Sequence, residues 1–278
     1  MSDPTDILDA LAHRFGDAPP REAVDCASAS VWQTLAQHRS CRSYKPDPVG
    51  ADLLRTLAAL ALSAPSKSDL QQRDIVVVEN AETRARLDAL LRSDWIAGAP
   101  VLLVFCGNNR RQRQIHDWRE KPFANDHLDA FFNAAVDAGI ALATFVMAAE
   151  SIGLGCCPLS AIRNHAAEVG ALLDLPDWVF PVAGLTVGWP AAEGEISLRL
   201  PLDATVHIDR YGDDEMRAHV DAYDARRAGM QPYAHQRKSG DYGESPNYGW
   251  SEDKARQYTE VQRADFGTFI RRKGFDLT

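Results

Sequence analysis

The chain has 278 residues, 45% of them hydrophobic and 25% charged, with a formal charge of −9 at pH 7. This length and balance suit a folded chain with a substantial core. The net negative charge argues against nucleic acid or an anionic membrane as the main partner, so an anionic ligand needs a local basic pocket.

The opening Met1-Ser2-Asp3-Pro4-Thr5-Asp6 lacks the basic-then-apolar layout of a signal peptide. No uncharged apolar run reaches the roughly 18 residues that suggest a membrane span; Asp137 interrupts the richest stretch. Five cysteines, an odd number with no Cys-x-x-Cys pair, fit a reducing compartment, and the expected location is cytoplasmic. Cys156 and Cys157 read either as a redox pair or as two small buried thiols of a strand. The eight histidines show no metal-ligand spacing, so no metal is expected.

In chain order, residues 1–30 form a leader with a helix over Ile7 to Phe15 and a break at Pro19-Pro20. Residues 31–278 form one domain. A helix beginning near Ser28 or Ser30 delivers the chain to His38, and another follows with Asp52 near its start and a stripe of Leu53, Leu57, Leu60 and Ala61. Strands are predicted at Ile75–Val78 and Val101–Cys106, with a charged helix over Ala81 to Leu91 between them. The dominant helix, His127 to Ile152, is apolar around most of its circumference, which predicts burial nearly all round, as a central spine or a dimer interface. Gly153 and Gly155 end it, and an extended piece runs from Cys156 to Leu159. A helix over His165 to Leu173 precedes a strand from Val179 to Val187. Beyond Asp203 the pattern turns polar, Gln231 to Tyr248 reads as a long mobile loop, and a last helix from Ser251 carries Phe266, Phe269 and Ile270. Strands interleaved with helices around one large helix give an α+β class of three α/β/α layers.

Two segments carry candidate chemistry. His38-Arg39-Ser40-Cys41-Arg42-Ser43-Tyr44 places two arginines and a hydroxyl at a helix exit, a set that suits a phosphate monoester through paired charge-assisted hydrogen bonds. The same arginines could equally be solvated caps of that helix. Ser63-Ala64-Pro65-Ser66-Lys67-Ser68-Asp69-Leu70-Gln71 offers backbone N–H groups and an amide between a helix and a strand; the alternative is a plain connector.

Together these segments resemble the nitroreductase family, in its NADPH-dependent nitro- and flavin-reductase branch. The resemblance continues through Ala148–Gly155, Ile162-Arg163-Asn164, Leu173–Pro176, Gly184–Pro190, Leu198–Pro201, Trp250-Ser251 and Lys273-Gly274-Phe275, so that it covers about residue 37 to the end. It implies a central mixed, mainly antiparallel sheet and a homodimer packed through the long helices, with FMN as cofactor. It further implies a two-stroke exchange in which hydride passes from NADPH, or less favourably NADH, through flavin N5 to a nitroaromatic, quinone or flavin acceptor. Carried over by position, His38, Arg39, Ser40 and Arg42 hold the ribityl phosphate, Ser66 and Gln71 follow the ribityl chain and ring edge, and Arg199 lies near the phosphate. Pro158, Leu159, Ser160 and Ala161 flank the flavin, with the Ser160 backbone N–H near N5. No side chain acts as a nucleophile.

Three positions depart from the branch. Pro158-Leu159-Ser160-Ala161 replaces Tyr-Ile-Gly-Gly, which restricts the backbone beside the ring. Ser197 stands where a lysine is usual, which removes a cation and makes the flavin harder to reduce; Ser93 stands where a glutamine is expected. These departures leave room for a specialised flavin oxidase or dehydrogenase of a biosynthetic intermediate, or for a flavin-binding scaffold without turnover. The groups Arg110–Arg113, Arg226-Arg227 and Arg237-Lys238 are either sites for a 2′-phosphate or solvated surface charge.

Overall fold

The computed structural model describes residues 7–16 and 29–278; the Pro19-Pro20 break and Ser28 lie outside them. Helices α1 (Ile7–Phe15), α2 (Ala29–Ala36) and α3 (Ala51–Leu62) precede strand β1 (Arg73–Val77). Then come α4 (Ala81–Leu91), α5 (Asp94–Ala97), β2 (Val101–Asn108), α6 (Arg110–Trp118) and α7 (Leu128–Glu150). Strand β3 (Gly155–Leu159) leads through a 3-10 turn (Ser160–His165) to α8 (Ala166–Leu172) and β4 (Val179–Gly188). The chain closes with α9 (Met216–Met230), α10 (Ser239–Tyr242), α11 (Trp250–Gln257) and α12 (Phe266–Arg272). Two compact units emerge: one from Arg39–Gly194 with Arg263–Thr278, the other from the described part of Met1–His38 with Glu195–Gln262.

The first unit is built on a sheet of order β1-β2-β4-β3, every neighbouring pair antiparallel, with one parallel bridge from Ser40 to Cys156 at its β3 edge. Strand β2 is buried throughout, so its alternate side chains serve two cores. Val101, Leu103 and Phe105 join Leu57 and Ala61 of α3 and Phe145 and Ala149 of α7 on one face. Leu102, Val104 and Cys106 meet Leu87 of α4, Ile96 of α5 and Val169 of α8 on the other. These are the three layers of an α+β fold. A third cluster packs Phe269 and Ile270 of α12 with Phe180 and Phe275.

Several expectations shift. In α3 the inward stripe is Leu54, Leu57 and Ala61, while Leu60 is exposed. Helix α7 is buried along one stripe instead of all round: Ala130, Ala134, Ala138, Ala141, Phe145 and Ala149 face inward, and Leu128, Phe132 and Val136 are exposed. The last predicted helix is two, α11 and α12. Gln231 to Tyr248 is stitched by hydrogen bonds: Gln236 and Ser245 exchange two, at 2.8 and 2.7 Å, and Arg256 Nη1 holds the carbonyls of Arg237 and Gly243.

In the second unit, Ala10 of α1 packs with Ala36 of α2 and Ile196. Helix α9 was not foreseen; among its residues only Tyr223 is buried, too few to mark an apolar stripe.

Candidate functional site

The segment after His38 is seated on the outer edge of β3. Cys41 N donates to Cys156 O at 2.8 Å, next to the Ser40–Cys156 bridge. Gly155 permits this approach, since a Cβ there would stand 2.6 Å from both Cβ and Sγ of Cys41. The far end is fixed by Tyr44, whose hydroxyl donates to Cys41 O at 2.7 Å and stands 2.8 Å from Thr186 Oγ1. Burial holds the Tyr44 phenol well above its usual range, so it remains a donor.

Arg39, Ser40 and Arg42 therefore share one edge with Pro158 and Leu159, which continue β3 beyond Cys157. Arg39 Nη1 donates to Gly194 O at 3.2 Å and stands 3.5 Å from Glu193, whose side chain is 85% exposed. Arg42 is exposed, with its guanidinium carbon 5.7 Å from the centre of the Trp95 ring, which brings the turn at Ser93 to this loop. Burial pushes the Cys157 thiol up, opposed by Arg42 and Ser40 beside it. Cys41 and Cys156 are likewise raised by burial; Cys156 and Cys157 are free, buried thiols that pack into different cores, one on each face of the sheet. Two guanidiniums and a hydroxyl on one edge, in a chain of formal charge −9, fit a phosphomonoester.

The Ser66–Gln71 loop is organised from below by a residue that sequence reasoning noted only as an interruption. Asp137, fully buried at mid-α7, accepts from Ser66 Oγ at 2.7 Å, Lys67 N at 3.1 Å and Gln72 N at 3.0 Å. Arg73, also buried, stands 3.7 Å from the same carboxylate and donates to the carbonyls of Leu62, Ala64 and Pro65. Ser66 Oγ in turn accepts from Gln71 N at 2.7 Å. This frame holds Ser68, Asp69 and Gln71 at φ of 50°, 56° and 52°, a left-handed conformation that costs on the order of 1 kcal/mol at each non-glycine residue. The available signal was a lone carboxylate in an apolar helix, which must find partners when buried.

Other expected residues lie as follows. Ser93 precedes α5 and offers its carbonyl to Ile96 N at 3.0 Å, without a side-chain cap. Leu159 is buried, Ala161 half-buried, and Pro158 and Ser160 exposed. In the second unit, the carbonyls of His38 and Ser197 both accept from Arg14, at 2.7 and 3.3 Å. Arg199 is exposed and lines a cavity of about 290 Å³ with Phe15, Leu200, Tyr223 and Trp250. Several members of the basic groups are spent on internal contacts: Arg111 on Asp74, Arg113 on Asp126, Arg226 on the carbonyls of Arg14 and Arg199, and Arg237 on Asp253.

Comparison with known proteins agrees with this architecture. The model of the nitroreductase family matches residues 35–189, and that of the nitroreductase family C-terminal domain matches residues 197–278. The NAD(P)H-type FMN reductase of Bacillus subtilis (strain 168) is 35% identical over 253 residues, covering 89% of this chain and 98% of that protein. Among solved structures, B. megaterium NfrA2 superposes with a TM-score of 0.81 at 32% identity, covering 90% of this chain and 99% of that one. The NADPH:FMN oxidoreductase of Vibrio harveyi, complexed with NAD+, superposes with a TM-score of 0.73 at 26% identity, covering 88% and 98%. The chain belongs to the nitroreductase family.

Proposed function

We propose that the chain is an FMN-dependent NAD(P)H oxidoreductase that delivers electrons to a small nitroaromatic, quinone or flavin acceptor. The observation that carries this reading is the cationic Arg39–Arg42 loop seated on the edge of β3, in a chain that shares its fold with FMN reductases. FMN, when bound, supplies the centre that takes a hydride from the nicotinamide and gives it to the acceptor.

The chain's own work is to bind, orient and tune. His38, Arg39, Ser40 and Arg42 grip the phosphate, and the Glu193 contact yields to it because an exposed ion pair is worth only about 0–1 kcal/mol. Ser66 and Gln71, preset by Asp137, follow the ribityl chain and ring edge. Ser93 approaches the ring edge, Pro158, Leu159, Ser160 and Ala161 form a wall beside the ring, and the Ser160 N–H faces its reactive edge. Arg199 lies near the phosphate, and Ser197 stands in place of a cation that would favour reduced flavin. A preset frame of donors stabilises developing negative charge without reorganising.

The working form is a homodimer in the cytoplasm, supported by the outward stripe of Leu128, Phe132 and Val136 on α7. The electron donor is NADPH in preference to NADH. Residues 31–278 act as the catalytic domain, preceded by the leader of residues 1–30.

The test is optical. Purified protein should be yellow, bleach anaerobically with NADPH and recover its colour with a quinone. A yellow protein inert to both pyridine nucleotides would point to an oxidase or dehydrogenase, and a colourless protein that cannot be loaded with FMN would end the proposal.

A further inference from the structure

The N-terminal helix α1 precedes the span matched by the family models, which starts at residue 35. Its last turn nevertheless reaches two segments of the proposed coenzyme site. Arg14 is only 6% exposed, and its guanidinium forks between them. Nη2 donates to Ala36 O at 3.1 Å and His38 O at 2.7 Å, and Nη1 donates to Ser197 O at 3.3 Å. The Arg14 carbonyl accepts from Arg199 N at 2.6 Å and from Arg226 Nη2 at 2.9 Å, and Arg226 also donates to Arg199 O at 2.7 Å.

The physical consequence is specific. Ala36 and His38 carry carbonyls at the C-terminal end of α2, where the helix itself provides no donors. A cation there satisfies them and fixes the backbone as far as His38. The same planar group fixes the backbone of Ser197, two residues before Arg199. Such a fork needs two rigidly related nitrogens, which lysine lacks.

We infer that α1 belongs to the coenzyme site, with Arg14 as a positioning residue that fixes His38 and the Ser197–Arg199 segment in the conformation that meets FMN. This rests on the reading of His38 and Arg199 as coenzyme contacts.

The experiment uses the full chain with Arg14→Ala, Arg14→Lys, His38→Ala, Arg199→Ala and the Arg14→Ala/His38→Ala pair. FMN affinity is measured by fluorescence titration of stripped protein, and melting temperature with and without saturating FMN. Arg14→Ala should raise the FMN Kd about tenfold or more, the loss expected when hydrogen bonds to a charged group are removed. It should also shrink the rise in melting temperature that FMN produces, and Arg14→Lys should fall between. His38→Ala should cost much less affinity in the Arg14→Ala background than alone, because residues acting through one another are not additive.

A lowered melting temperature of the stripped protein, with the Kd and the FMN-induced rise both unchanged, would make Arg14 a folding residue only and overturn the inference. If Arg14→Ala does not fold, Arg14→Lys decides: a Kd raised several-fold supports the inference, and a wild-type Kd overturns it. Unchanged affinity in both His38→Ala and Arg199→Ala would instead remove the coenzyme assignment on which the inference stands. Losses in those two with a silent Arg14 would overturn only the inference.

Discussion

Arg39 and Arg42 are held differently. Arg39 leans on the Gly194 carbonyl and a solvated Glu193, whereas Arg42 projects into solvent over Trp95. We predict that Arg39→Ala with Arg42→Ala raises the FMN Kd by at least about a hundredfold, each residue losing a contact worth about 1.5–3 kcal/mol. Flavin titration of the double variant returning the wild-type affinity would remove the phosphate assignment. Asp137→Ala should destabilise the folded chain by about 3–5 kcal/mol, because it strands the buried Arg73 guanidinium, and urea unfolding measures this. A midpoint within error of wild type would show that the frame beneath Ser66 stands without it. The two sets of residues were unequally legible. Arg39, Ser40 and Arg42 lie within four positions, so their pattern is visible locally. Asp137 meets Ser66 across 71 positions, and Arg14 meets Ser197 across 183, separations no local spacing encodes.

At the level of elements, three strands stood out in the sequence as β-branched or apolar runs, and β3 as an extended piece after Gly153 and Gly155. Their order did not, because β4 is inserted between β2 and β3 by pairings between distant segments. In α3, Leu57 and Ala61 agree with the expected stripe, but Leu54 is buried and Leu60 exposed, because alanines and leucines fill both faces and leave burial to decide which turns inward. The stitches across Gln231 to Tyr248 come from side chains, which periodicity does not report. Strand β2 carries its own pH dependence. Burial pushes the Cys106 thiol from 9.0 up to about 12, so the folded state keeps a proton that the unfolded chain loses. The contribution to stability is therefore intact below pH 9 and is lost as pH rises toward 12, at about 1.4 kcal/mol per pH unit. We predict that urea unfolding of Cys106→Ala shows a shallower loss of stability between pH 9 and 11 than the wild type. Parallel slopes would show that the thiol is not held protonated.

For the whole molecule, the outward stripe of α7 is the feature a single chain leaves unfinished. Leu128 is 49% exposed, Phe132 59% and Val136 41%, at successive four-residue steps on one face. Phe132→Glu with Val136→Glu should convert a dimer to monomers in sedimentation velocity, and an unchanged sedimentation coefficient would place the subunit contact elsewhere. Val136 and Asp137 are neighbours about 100° apart on the helix, one partly open to solvent and the other buried toward the loop that carries Ser66. If subunits pair through this face as proposed, self-association and pigment retention are linked equilibria, each strengthening the other by the same factor. Dilution alone should release the yellow chromophore, with a midpoint that tracks protein concentration, and added chromophore should hold the pair together.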